Sequence, residues 1–166
     1  GKTTFIRNLI RRTSATHRFY FVPTSVASEL SKPTMINFWL DERRDSRRLR
    51  DVAVFEDAEN LLEPRHDGNQ ALVSDLLNAA DGLLGDCLHL HIVATVNAPL
   101  EKLDKAVTRP GRMIGYREFR RLTCDEATAI AARKGIKLPK ETSFSLAEIY
   151  NQVAAHNLSG SLKQIG

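Results

Sequence analysis

Apolar residues fall along this chain as short unbroken runs alternating with stripes of helical spacing, which predicts strands and helices in turn. Phe5 to Arg12 reads as a helix with Phe5, Ile6, Leu9 and Ile10 on one face. Arg18 to Val22 is β-rich and stops at Pro23, as a strand does. Ser25 to Ser31 is a polar connection with a turn of helix. Pro33 suits the first position of a helix running to Leu40, with Met35, Ile36, Phe38 and Trp39 as packing surface. Asp41 to Arg50 mixes both signs of charge and reads as a solvated connector, since no aromatics interleave with it. Val52 to Phe55 is a fully apolar run, the mark of a buried strand in a parallel sheet.

Glu63 to Gln70 carries loop residues, and Ala71 to Leu84 is an amphipathic helix on Leu72, Val73, Leu76, Leu77, Leu83 and Leu84. Cys87 to Val96 is again β-rich, with Ile92 to Val96 expected to be buried and Asn97 at the carboxyl end. Pro99 to Thr108 connects, with a short helix, to a turn at Arg109-Pro-Gly-Arg112. Tyr116 to Phe119 reads as a short strand. Thr123-Cys-Asp-Glu126 is a capping box opening a helix to about Gly135, Phe144 to Val153 reads as another, and the chain then enters one more. Strands and helices in alternation, followed by a helical tail, predict an α/β domain with a parallel sheet over residues 1–122 and a small helical lid over 123–166.

Chemistry gathers at a few points of this pattern. Glu56, Asp57 and Glu59 follow the buried strand, where open α/β sheets place their ligands. They equally suit the start of a helix, with Asp57 as N-cap and Glu59 in the first turn. Gly1-Lys-Thr-Thr4 matches the end of a phosphate-binding loop, G-x-x-x-x-G-K-[ST], and equally an ordinary helix start. Cys87, His89 and His91 would share one face of a strand, but in a row rather than a tetrahedron, which argues against zinc.

Composition narrows the class. The 166 residues are 42% hydrophobic and 27% charged, enough for one soluble domain with a core. No apolar run has the length of a membrane span, and two cysteines make no disulfide framework, so a reducing cytoplasm is the expectation. The net charge of +4, with arginines grouped at 43–50 and 117–121, permits nucleic acid as a partner without indicating it. The opening Gly-Lys, with no strand or glycine-rich stretch before it, leads to the expectation of a fragment cut inside its own nucleotide site.

The order of the motifs is more specific than any one of them. Gly-Lys-Thr-Thr4, the strand ending in Glu56-Asp57, the helix Leu76-Leu-Asn-Ala-Ala-Asp-Gly82, Thr95-Val-Asn97, Leu103-Asp-Lys-Ala106 and Arg109-Pro-Gly-Arg112 together resemble the AAA family of P-loop ATPases, over essentially the whole chain. The resemblance implies a P-loop NTPase sheet, here lacking its first strand, that binds ATP and Mg²⁺. Gly1, Lys2, Thr3 and Thr4 correspond to the Walker A segment, with Lys2 on the phosphates and Thr3 as a metal-binding hydroxyl. Glu56 falls on the Walker B metal acid, Asp57 on the acid that activates water, and Asn97 on sensor 1. Arg109 and Arg112 match the arginines offered to a neighbouring subunit's ATP, which implies a homo-oligomeric ring, a hexamer by expectation, acting on a protein substrate.

Phosphoryl transfer asks a protein mainly for positioning and charge stabilisation, and an arginine supplied in trans is worth a factor on the order of 10³. Departures from the family pattern qualify the expectation. The acid pair is Glu56-Asp57 rather than Asp-Glu, so the shorter Asp57 must reach the water and slower hydrolysis is expected. No aromatic–hydrophobic–Gly pore loop stands between Tyr20 and Trp39, Met113 replaces an acid after Arg112, and Lys163, a candidate for sensor 2, reads better as a solvated helix lysine. The family's first strand would lie between those of Ile92 to Val96 and Tyr116 to Phe119, so the chain without it is expected to be unstable. Two alternatives stand beside a protein-remodelling ATPase: a nucleic-acid-directed motor or clamp loader, and a nucleotide-binding switch with little turnover.

Overall fold

Three parallel strands in the order β1-β2-β3 form the main sheet of the computed structural model: His17–Phe21 (β1), Arg50–Phe55 (β2) and His91–Ala94 (β3). The model describes residues 1–45, 48–64, 70–80, 88–133, 135, 138 and 143–151. Its helices are Lys2–Thr13 (α1), Pro33–Asp45 (α2), Glu59–Leu62 (α3), Gln70–Ala80 (α4) and Cys124–Ala132 (α5), with a 3₁₀ turn at Thr24–Glu29. The chain divides into two units, Ile6–Tyr116 and a second made of Gly1–Phe5 with the residues from Arg117 onward.

In the larger unit β2 is central, and Asp51 to Phe55 are all buried, as an unbroken apolar run between two flanking strands requires. One face of the sheet packs Val52 and Val54 against Ile6 of α1. The other packs Ala53 and Phe55 into the main core with Leu30, Trp39, Leu61, Leu76, Leu88 and Leu90. The buried Trp39, half-buried Tyr20 and exposed Phe38 meet edge to face, Tyr20 and Trp39 at 4.9 Å between ring centroids.

Four expectations from sequence require correction. The helix does not end at Leu40 and give way to a solvated connector, because α2 continues into the charge run as far as Asp45 and its Glu42 is put to use. Arg18 of β1 pairs with the Glu42 carboxylate at 2.6 Å and with Asp51 at 3.0 Å, and the Tyr20 hydroxyl donates to Glu42. Burial, with that hydrogen bond to Glu42, pushes the Tyr20 hydroxyl well above its ordinary pKa. Next, β3 is short: Leu88 and Leu90 are buried outside any strand, and His89 turns the chain at φ 50°. The alternation of His89 and His91 on one strand face therefore fails, and Cys87 lies outside the described residues. Ile92 to Ala94 are half-buried rather than buried, because β3 pairs on one side only among the described residues.

Tyr116 to Phe119 forms no strand, since β propensity without a hydrogen-bonding neighbour does not make one. The segment is exposed, Tyr116 at 66% and Phe119 at 39%. Finally, Phe144 belongs not to a helix but to a two-stranded antiparallel ribbon, Leu122–Thr123 (β4) with Ser143–Phe144 (β5), and helical structure resumes at 146–151.

The smaller unit is built on that ribbon. Phe144 is buried with Ala127 and Ile149. The capping box forms as the sequence predicts: Thr123 accepts from the Glu126 N–H, and Glu126 accepts from the Thr123 N–H. Arg120 grips Glu126 at 2.7 Å, and with the Thr123 backbone it holds that carboxyl down to about 2. Arg121 pairs likewise with Glu148 at 2.9 Å. Gly1 approaches the Phe119 ring so closely that an added Cβ would sit 2.8 Å from it, and Phe5 meets Phe119 edge to face at 5.6 Å.

Candidate functional site

The candidate site of the larger unit lies where β2 and β3 end. After five buried residues β2 ends at Phe55, and the next two side chains, Glu56 and Asp57, are exposed. The β2–β3 ladder persists past both strands: the Thr95 N–H donates to the Phe55 carbonyl at 2.9 Å, and the Ala58 N–H to the Thr95 carbonyl at 2.8 Å. Between these bonds Asp57 adopts φ 49°, a left-handed conformation that Asp tolerates better than most residues. The Thr95 hydroxyl, buried with its residue, accepts the Asp57 N–H at 3.1 Å and fixes that turn.

Asn97 follows two residues after Thr95. Its side-chain amide donates to Asp57 Oδ1 at 3.2 Å, joining residues forty apart in sequence. Its backbone N–H donates to Glu59 Oε1, so the asparagine is held through both main chain and side chain. Asp57 does not cap α3: Ala58 occupies the N-cap position and no side chain caps it, while Glu59 does fall in the first turn. The carboxylate of Asp57 is thereby left at the surface, beside Asn97. Neither Glu56 nor Asp57 enters an ion pair among the described residues of this unit.

Hydrogen bonds carry on from α3 toward the arginine turn. The Asp104 N–H donates to the Leu62 carbonyl at 2.7 Å, and the buried Asp104 carboxylate accepts the Ala106 N–H at 2.7 Å. The turn closes with the Arg112 N–H on the Arg109 carbonyl at 3.1 Å, Gly111 supplying φ 92°. Arg109 and Arg112 are both exposed, and Arg112 Nη1 donates to the Ala106 carbonyl at 3.2 Å. Neither residue is part of a buried core cluster.

Lys2 and Thr3 stand in the first turn of α1, and Gly1 immediately before it accepts the Phe5 N–H at 2.9 Å. No acid occupies that first turn, where the helix dipole is positive. Thr4 is exposed beside them. The structure thus unites Asp57 with Asn97, and it places Glu56 next to that pair in sequence at the same strand end. Lys163 and Gly82 fall outside the described residues.

Two residues with positioning contacts carried no assignment from sequence. Thr95 appeared there only as part of a motif and Glu59 only as a helix-start acid. The signal was their spacing, two residues before Asn97 and two after Asp57. Among the described residues, no group of three or more His, Cys, Asp or Glu side chains could hold a metal, and no helix is long and apolar enough to cross a membrane.

Comparison with known proteins agrees with this arrangement at the level of family. No curated protein matches the chain. Residues 1–121 match the family model described as ATPase family associated with various cellular activities (AAA). With that match over most of its length, and with a parallel α/β sheet presenting acids at the end of β2, the chain belongs to the AAA family and is an ATPase-type nucleotide-binding module.

Proposed function

We propose that this chain hydrolyses Mg·ATP within a ring of identical copies and couples the reaction to remodelling a protein partner. The observation that supports the hydrolytic reading best is the 3.2 Å contact between Asn97 and Asp57, a carboxylate and an amide able to hold one water between them and a phosphate. In this reading Asp57 takes the proton as water attacks the terminal phosphorus, and Asn97 orients both. Lys2 and the amides opening α1 bind the phosphate oxygens. Mg²⁺ prefers hard oxygen ligands, and the exposed Glu56 carboxylate beside Asp57 is of that type. When bound, Mg²⁺ would neutralise charge developing on the phosphates.

Arg109 and Arg112, exposed on a turn held by Asp104, are the groups we assign to a neighbouring copy's ATP. A finger in trans requires head-to-tail contacts, and a ring closes them. Cys124 is an exposed free thiol, in keeping with a reducing cytoplasm.

Phosphate release from Mg·ATP, wild type against Asp57→Asn, tests the proposal. Loss of the carboxylate is expected to lower turnover by about 100-fold or more while ATP binding persists. Equal, background rates in both proteins would leave a nucleotide-binding switch in place of an ATPase.

A further inference from the structure

Asp104 is 6% exposed, although it lies in a connector between the exposed Lys102 and Lys105. A buried carboxylate is costly unless its oxygens accept hydrogen bonds, so a connector that hides one needs a reason for it. Its carboxylate accepts the Ala106 N–H at 2.7 Å, and its carbonyl accepts the Val107 N–H at 2.9 Å, which curls residues 104–107 into a turn. Ala106 is buried too, and its own carbonyl accepts from Arg112 Nη1 at 3.2 Å. Ala106 is therefore held on one side by Asp104 and on the other by the arginine turn.

The same acid is tied to the hydrolytic side through its main chain. Its N–H donates at 2.7 Å to the carbonyl of Leu62, the last residue of α3. At the first residue of that helix, Glu59 accepts the Asn97 N–H. A helix of this length is about 6 Å long. Leu61 and Leu62 are buried, so its two ends move as one piece. Contacts run without a gap from Asn97, beside Asp57, to Ala106 and Arg112. Asp104 is the joint: its N–H meets α3 and its carboxylate meets the residue that the arginine turn grips.

We propose that Asp104 is a positioning residue for the neighbouring copy's reaction: its buried carboxylate, acting through Ala106, sets the turn that presents Arg109 and Arg112. This role, which rests on the trans-arginine reading above, serves the neighbour's ATP and not the copy's own. Asp104 itself touches no substrate. Its effect comes through placement, since shifting a group by about 1 Å at a reacting centre costs on the order of 100-fold in rate. Removing the carboxylate leaves the main-chain bond to Leu62 in place, and with it the copy's own Asp57 and Asn97. Such a copy stays competent wherever its neighbour supplies the arginines, which a general loss of stability would not allow.

Phosphate release from variants of the full chain, alone and mixed, tests this role. Asp104→Ala alone is expected to lose turnover by about 30-fold, while its affinity for a fluorescent ADP stays within about twofold of wild type. Asp57→Asn alone lacks the carboxylate that takes the proton but keeps its arginine turn. Mixed one to one, the two variants are expected to recover about a quarter of wild-type turnover, because half the copies have an intact site and half of those adjoin an intact arginine turn. Asp104→Asn, which keeps an oxygen for the Ala106 N–H, recovers most of the single-variant loss. Asp104→Glu keeps the charge but displaces that oxygen, and it replaces the alanine variant in the mixture if the latter does not bind nucleotide. Mixed turnover no higher than the mean of the two variants, or full turnover in Asp104→Ala, would overturn the proposal. Wild-type turnover at background would instead overturn the hydrolytic reading, and this role with it.

Discussion

The two ends of β2 treat their acids in opposite ways. At the amino end Asp51 is 4% exposed and carries its own cation, Arg18, which also reaches Glu42 on α2. At the carboxyl end Glu56 and Asp57 are exposed and meet no cation among the described residues of their unit, and Asp57 is arranged by neutral partners, Thr95 and Asn97. An acid neutralised inside the fold contributes to stability and has no charge left to offer. An acid at a strand end, steered by a hydroxyl and an amide, retains its charge for a ligand. The contrast separates carboxylates that hold this protein together from carboxylates available for chemistry.

Substitutions can break that contrast. The largest expected effect is at the carboxyl end: Asn97→Ala removes the donor on Asp57 and is expected to reduce ATP turnover about 100-fold, with the thermal midpoint nearly unchanged. Steady-state phosphate release and a melting curve on the same preparation check both halves. Arg18→Met should do the reverse. It leaves Asp51 buried without its cation and is expected to cost about 2 kcal/mol by urea unfolding, discounted because Arg18 is itself a quarter exposed, while the KM for ATP stays within about twofold.

Thr95→Val sharpens the comparison from the middle. It preserves shape but frees the Asp57 N–H, which water can partly satisfy, so about 1 kcal/mol and about fivefold in kcat are expected. The smallest effect belongs to a fully solvated pair in the other unit. The Glu126 carboxyl, held down to about 2 by Arg120 and the Thr123 backbone, starts from an ordinary value of 4.5. Its folded value is depressed, so its stabilisation of α5 is complete above 4.5 and lost as pH falls through about 2. A carboxyl titration of Glu126 by NMR, with and without Arg120→Gln, reads this directly.

How much of this was legible in the sequence depends on whether a signal is local. Val52 to Phe55 announced β2 because four apolar residues between charges admit few other structures. Thr123 and Glu126 announced α5 because a capping box is complete within four residues. Glu42 could not be read, since what makes it part of a helix and a network is Arg18 and Tyr20, two strand residues more than twenty positions away. Tyr116 to Phe119 misled for the complementary reason: its composition suits a strand, but a strand exists only beside another. At the candidate site, family order singled out Asp57 and Asn97 separately. That they touch, and that Thr95 and Glu59 arrange them, follows from the register of β2 against β3, which spacing along a chain does not contain.

The left-handed backbone at Asp57 bears on the unusual sequence of the acid pair. A short side chain tolerates φ 49°, whereas a glutamate there would add strain on the order of 1 kcal/mol to a turn already pinned by Thr95. Glu56, whose φ is negative, is free to be the longer of the two. Length and backbone tolerance are thus apportioned between neighbours, and transposing the two acids would alter the main chain itself, not merely the reach of two carboxylates.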